Sequence, residues 1–293
     1  MTLEAGAVAA GVAELCEVET EAEELYRRWI AEGKHGKMSY MERYQDVRHD
    51  PRLLLEGARS IIVAAFSYYT PTLYDGDTGE ERLKWARYAL GRDYHEEVRE
   101  RLTQVAIAIT EATGAQCRVT VDTAPLRERY WAVKAGIGFL GVNNQLIVPG
   151  AGSWCVLGEI ITTLELEPDA PCTSSCDGCM KCVRACPGHA LDGKGGLDAR
   201  KCMSYLSIEY RGDDVPDFGD RIYGCDICQE VCPHNAGAAP TRIDGFRPRP
   251  EILALTRERI AHMEQSEFSC IFSHSAIKRT KLAGLVRNLK WKI

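Results

Sequence analysis

The chain has no apolar run long enough to cross a membrane as a helix. Its opening residues, Met1-Thr2-Leu3-Glu4, lack the basic region or twin arginine of an export signal. A cytoplasmic setting is the expectation. There is no low-complexity tract and no internal repeat beyond two cysteine runs, which excludes repeat solenoids and linker-dominated chains. Acids are missing from positions 277–293, which carry six basic side chains. The formal charge of −6 therefore hides a body of 30 basic and 42 acidic residues ahead of a basic tail. Such a tail suits contact with phosphates and, equally, a solvated amphipathic helix.

Cysteine is not scarce. Thirteen are present among 293 residues, and without an export signal they argue for metal, not disulfides. Eight form a pattern: Cys176-x2-Cys179-x2-Cys182-x3-Cys186-Pro187, a lone Cys202, then Cys225-x2-Cys228-x3-Cys232-Pro233. Three thiolates on a C-x2-C-x2-C loop reach three corners of one four-iron cubane, and the cysteine before proline ligates its neighbour. The expected sets are Cys176, Cys179, Cys182 and Cys232 on one 4Fe-4S cluster, and Cys186, Cys202, Cys225 and Cys228 on the other. A pair of structural zinc sites also uses C-x2-C units, but seldom this triple closed by Cys-Pro. Cys172 is read as a bystander. Cys16, Cys117, Cys155 and Cys270 are read as small buried hydrophobes.

With 45% hydrophobic and 27% charged residues, the chain is a globular protein of one large or two ordinary domains. Residues 20–31 read as a helix with Leu25, Trp29 and Ile30 on one face. Ser60 to Phe66 is a continuous apolar run of strand length, expected to be covered on both faces. Tyr94 to Thr113 is a helix through Val98, Leu102, Val105 and Ile109, stopped by Gly114. Strands are expected at 118–122, 144–148 and 153–162, and a loop at 70–80. Asp122-Thr123-Ala124-Pro125 reads as a helix entry, with Asp122 or Thr123 as cap. Alternating strands and helices give an α/β domain. Gly136 to Gly141 fits G-x-G-x-x-G, but it follows a helix and leads into a strand. A dinucleotide fingerprint has the reverse context, so these glycines are expected to serve a turn or a close backbone approach. His49, His95 and His189 have no spacing that suggests a metal site.

The segments HDPRLLLEGARSIIVAAFSYY (49–69), ARYALGRDYH (86–95), VDTAPLRERYWAVKAGIGFLGVNN (121–144) and GSWCVLGEI (152–160) add to the cysteine array. So do ARKCMSYLSIEYRG (199–212), RIYGCDICQEVCPHN (221–235) and SAIKRTKLAGLVRN (275–288). Together, in this order, they resemble the epoxyqueuosine reductase family. This chain has threonine at 123 where the family commonly has serine, Val142 where many members have lysine, and Cys-Pro-Gly at 186–188. Longer relatives continue past the position of Ile293 into helical repeats that grip tRNA.

The resemblance implies a cobalamin-binding α/β domain at 1–165, a ferredoxin-like double 4Fe-4S domain at 166–245 and a short helical basic segment at 246–293. The implied activity is reduction of epoxyqueuosine in tRNA to queuosine: epoxide to alkene plus water, at the cost of two electrons and two protons. A low-potential donor would feed two clusters, which return cobalamin to a carbon nucleophile. Asp122 is the implied general acid, with a pKa raised by burial. Asn143, Asn144, Ser153, Trp154 and Glu159 are expected with Asp122 at the cofactor. Arg129, Tyr205, Glu209, Tyr210, Lys278, Arg279 and Lys281 are expected toward substrate or tRNA. The chain lacks D-x-H-x-x-G, so no histidine from that motif is expected on cobalt. The alternatives are a cobalamin-dependent reductive dehalogenase and an electron-transfer iron–sulfur protein.

Overall fold

The computed structural model describes residues 1–71 and 82–289; most of the loop expected at 70–80 lies outside them. The first half is built on one sheet. Its strands are β1 (Ala9–Glu14), β2 (Ser60–Ser67), β4 (Cys117–Thr120) and β7 (Cys155–Thr162), in spatial order β1-β2-β7-β4. Every pairing in it is antiparallel. Two short pairs complete the strands: β3 (Lys84–Trp85) runs parallel to β8 (Arg221–Tyr223), and β5 (Phe139–Leu140) forms a hairpin with β6 (Leu146–Ile147).

The central strands are apolar on both faces because both faces are covered. Ile61, Val63 and Ala65 of β2 point toward the Glu128–Lys134 helix and pack with Trp131 and Ala132. Ala64 and Phe66 point the other way, onto Val98, Leu102 and Val105 of the Tyr94–Thr113 helix. That helix is capped by the Asp93 side chain and ends on Gly114 at φ 73°, as its pattern requires.

Three expectations change. Strand β1 escapes the pattern search because it is AAGVAE, with almost no large side chain. Its Gly11 is obligatory, since a Cβ there would lie 2.0 Å from the Ala135 carbonyl oxygen. The Thr20–Ala31 helix is where the sequence puts it, but Leu25 is 58% exposed and Glu23 faces inward to Arg127 and Arg27. The third change is at Asp122. The helix starts only at Glu128, and Asp122 sits at φ 51°, so it caps nothing.

The glycine run behaves as a close-approach element. A Cβ at Gly138 would meet the Ile147 carbonyl oxygen at 2.3 Å, and one at Gly136 the Ala170 oxygen at 2.1 Å.

Beyond residue 165 the chain is loop-rich, with short helices at Lys181–Ala185, Met203–Ile208 and Ile227–Glu230. It is fastened to the sheet by a buried polar network. The Ser153 N–H donates to Asn235 Oδ1 (2.7 Å), the Ser153 hydroxyl to Gln229 Oε1 (3.1 Å), and Asn235 Nδ2 to the Gln229 carbonyl (2.7 Å). The C-terminal helices form a separate core with Leu83, Trp85, Ala89 and Leu90, so the segment carrying β3 packs with residues far along the chain.

Candidate active site and cluster sites

The site begins with two residues at the N-terminus of the Tyr94–Thr113 helix. His95 lies between two carboxylates: its Nδ1 is 2.6 Å from Asp93 Oδ1 and its Nε2 3.1 Å from Asp122 Oδ2. Carboxylates only accept, so both ring nitrogens donate and the ring is an imidazolium. Burial opposes that charge, but the bonds to Asp122 and Asp93 outweigh it and push the pKa up to about 9. The Tyr94 hydroxyl donates to the same Asp122 oxygen at 2.8 Å, and its ring stacks on His95 at 4.0 Å.

Asp122 is therefore not the raised acid that burial alone suggests. Desolvation does raise its pKa, but the hydrogen bonds from His95 and Tyr94 and the charges of His95 and Arg129 reverse the sign. The resting group is a carboxylate. Its side chain is 55% exposed and so reachable from outside. The Asp122 N–H donates to a Glu128 carboxyl oxygen. Burial and the Asp122 charge push Glu128 up to about 8. Behind it lies Glu159 of β7, fully buried, with one oxygen on the Thr120 hydroxyl (2.8 Å) and its pKa driven well up by desolvation.

Arg129, one residue along the same helix, donates to Asn144 Oδ1 at 2.6 Å. The turn 142–144 then reaches the cysteine segment. The Val142 N–H lies 3.4 Å from Cys176 Sγ, Asn143 Nδ2 donates to the Cys228 carbonyl (3.4 Å), and Asn144 Nδ2 to the Gly195 carbonyl (2.8 Å). Cys176, Cys179, Cys182 and Cys232 line one cavity with Val142, Asn143 and His234. Cys202 lies within electrostatic reach of Cys186, and both Cys225 and Cys228 lie within reach of Cys202. Among the described residues, no three His, Cys, Asp or Glu side chains converge closely enough to grip a single ion.

Homology decides what this arrangement belongs to. Residues 48–123 match the family model for epoxyqueuosine reductase QueG, DUF1730, and residues 175–235 match the 4Fe-4S double cluster binding domain. The epoxyqueuosine reductase of Cellulophaga algicola is 36% identical over 97% of this chain and 93% of its own. That of Cyclobacterium marinum is 39% identical over 95% and 90%. This chain belongs to the epoxyqueuosine reductase family.

Solved epoxyqueuosine reductases superpose over almost all of it. The Streptococcus thermophilus enzyme gives a TM-score of 0.88 at 30% identity, covering 99% of this chain and 78% of that one. A complex with an epoxyqueuosine-modified tRNA stem loop gives 0.87 at 31%, covering 98% and 77%. The chain is an oxidoreductase whose cofactors are two 4Fe-4S clusters and cobalamin. The residues present fit a cluster. For a cluster, four thiols ring one cavity, and Asp122, His95 and Tyr94 present an exposed carboxylate beside the Asn144 turn.

The structure separates the other expected residues. Ser153 and Trp154 are buried in the network that fastens sheet to cluster segment, with Trp154 stacked on Tyr69. Tyr205 is buried and accepts the Lys37 N–H at 2.6 Å. Glu209 takes a bidentate pair from Arg279 (2.8 and 2.9 Å), and Arg279 lies over the Tyr40 ring at 5.5 Å. Burial pushes the Tyr40 phenol up to about 12. The Tyr210 carbonyl, with those of Leu206 and Gly212, accepts from the buried Arg287, so one of the tail's cations is consumed internally. Lys278 and Lys281 remain exposed. His95, Tyr94, Glu128 and Tyr40 were not among the expected site residues. The only trace of the first two was their place in the ARYALGRDYH segment.

Proposed function

We propose that this enzyme reduces epoxyqueuosine in tRNA to queuosine, with Asp122 as the group that delivers protons to the epoxide oxygen. The observation that carries this is the Asp122 carboxylate, reachable from outside yet hydrogen-bonded by Tyr94 and the His95 imidazolium. Opening the ring and expelling its oxygen as water takes two protons and two electrons. An acid–base pair at the oxygen is therefore required, and a carboxylate bonded to a histidine cation is one. Bound low-valent cobalamin supplies the carbon nucleophile.

Arg129 fits a role in fixing substrate or a cofactor phosphate, with its fork held by Asn144. The eight cysteines divide as Cys176, Cys179, Cys182 and Cys232 on one cluster and Cys186, Cys202, Cys225 and Cys228 on the other. The cavity lined by the first set supports that division. The exposed Lys278 and Lys281 and the Tyr40–Arg279–Glu209 group suit the tRNA backbone and loop. A low-potential protein or chemical donor provides the electrons one at a time.

The test is anaerobic reconstitution with iron, sulfide and cobalamin. The product is then incubated with a low-potential reductant and epoxyqueuosine-containing tRNA, and the nucleosides are analysed by mass. Loss of one oxygen from the modified nucleoside is expected. Iron-replete, cobalamin-replete protein that leaves the epoxide intact would falsify the reading.

A further inference from the structure

We infer that the hairpin turn at 142–144 sets the electron affinity of the cluster held by Cys176, Cys179, Cys182 and Cys232. The Val142 N–H does so by its bond to Cys176 Sγ, and Asn144 is the positioning residue that holds that N–H in place.

Three consecutive residues of this turn each reach a different part of the cysteine segment. The Val142 N–H donates to Cys176 Sγ (3.4 Å), Asn143 Nδ2 to the Cys228 carbonyl (3.4 Å) and Asn144 Nδ2 to the Gly195 carbonyl (2.8 Å). The first is unlike the other N–H bonds to these thiols. Cys186 accepts from Ala190, four residues on. Cys202, Cys225 and Cys232 accept from N–H groups two or three residues on. Among the described residues, Val142 alone donates to a cluster thiol from outside the cysteine segment.

The turn is built to hold that donor. The β5–β6 hairpin closes on a bond from the Gly141 N–H to the Gln145 carbonyl and one from the Asn144 N–H to the Gly141 carbonyl, both 2.8 Å. Asn144 sits at φ 62°, the left-handed third position of a three-residue hairpin loop, which asparagine tolerates. Asn143 Oδ1 takes the Gln145 N–H at 3.2 Å. The Val142 N–H is left outside this ladder, with the Cys176 sulfur as its acceptor. Arg129 then grips Asn144 at its carbonyl and at its Oδ1, the latter at 2.6 Å, and so anchors the turn to the Glu128–Lys134 helix.

In the loaded protein Cys176 Sγ is a thiolate on iron. Reducing a 4Fe-4S cluster takes one electron from the low-potential donor, moves no proton and places added negative charge on the sulfurs. A hydrogen bond donated to sulfur favours the more negative state, so it raises the potential. The element bonded to Arg129 therefore also tunes one of the two clusters.

The inference rests on the proposed division of the cysteines and not on the substrate. Its test is a mediated redox titration of reconstituted holoenzyme without tRNA, followed by electron paramagnetic resonance. The wave absent from Cys179→Ser belongs to the cluster in question. Replacing residue 142 by the α-hydroxy analogue of valine exchanges the N–H for an ester oxygen and keeps the side chain. At a fixed potential the ratio of reduced to oxidised cluster should then fall about tenfold, a shift of about 59 mV for one electron. The other wave should stay in place. Asn144→Gly keeps the left-handed conformation accessible but drops the side-chain bonds to Arg129 and Gly195. It should lower the same wave by less, and add nothing once the ester is present.

A wave unmoved by the ester, both waves moving together, or an Asn144→Gly shift that persists in the ester overturns the inference. If the ester form does not assemble its clusters, Asn144→Gly decides alone: the same wave must fall while the other stays. Cys179→Ser that removes no wave contradicts the division of the cysteines, and the inference falls with it. Wild-type enzyme that holds both clusters and cobalamin yet leaves epoxyqueuosine intact sinks the proposed reaction instead, and the potentials still decide the role of the turn.

Discussion

His95 Nε2 lies 3.1 Å from Asp122 Oδ2, a contact between residues 27 apart in the chain. It converts what local sequence presents as a helix cap into one half of an acid–base pair. The other side of the ring, on Asp93 at 2.6 Å, fixes the imidazole so that its second proton points at Asp122.

The first prediction concerns that pair. In Asp122→Asn, His95 loses one of its two charged partners, and its pKa should fall from about 9 toward the ordinary histidine value. Proton–nitrogen NMR of the ring measures it directly. A value unchanged from wild type would show that Asp93 alone holds the charge.

Linkage gives the second. The folded His95 pKa is raised above that of the unfolded chain. The stability it contributes is fully present below about pH 6.5 and is lost as pH rises through about 9. Replacing His95 with glutamine should lower Tm below neutral pH and leave it nearly unchanged above pH 9. A Tm deficit that grows with pH contradicts this sign.

Third, the two cysteine sets should fail separately. Cys179→Ser removes a ligand whose sulfur lines the same cavity as Cys176, Cys182 and Cys232. Iron content should drop from about eight to about four per chain, with the remaining cluster reducible in electron paramagnetic resonance. Cys172→Ser should leave all the iron in place.

How much of this was legible in the sequence depends on how far apart the partners lie. The cysteine array is readable because the loop geometry of a cubane is written into spacings of two and three residues. Ser60–Ser67 and the Tyr94–Thr113 helix are readable because burial on both faces, or on one stripe, leaves an apolar pattern. Strand β1 leaves none, because its job is to let the Ala135 carbonyl approach Gly11. Local rules read Asp122 as a helix cap, which it is not. The partners that set its charge, Tyr94 and His95, come from another helix, and its own N–H is claimed by Glu128. The basic tail was legible as charge but not as function. Arg287 is buried and Arg279 is paired to Glu209, facts that only the packed structure supplies.

That division of the tail gives the fourth prediction. Arg287→Ala strands the carbonyls of Leu206, Tyr210 and Gly212 and should cost about 3 kcal/mol in denaturant unfolding. Lys278→Ala, on an exposed side chain, should leave stability unchanged. It should weaken tRNA binding and reduce the salt dependence by about one counterion.

Asp122 decides the account most directly. Wild type and Asp122→Asn, reconstituted in parallel with both clusters and cobalamin, should be compared in a single anaerobic turnover on epoxyqueuosine-containing tRNA, with product nucleosides read by mass. Both should hold the same iron and cobalamin, and the variant should convert the epoxide more slowly by about a hundredfold or more. An asparagine variant that forms queuosine at the wild-type rate would contradict the assignment of Asp122 as the route by which protons reach the epoxide.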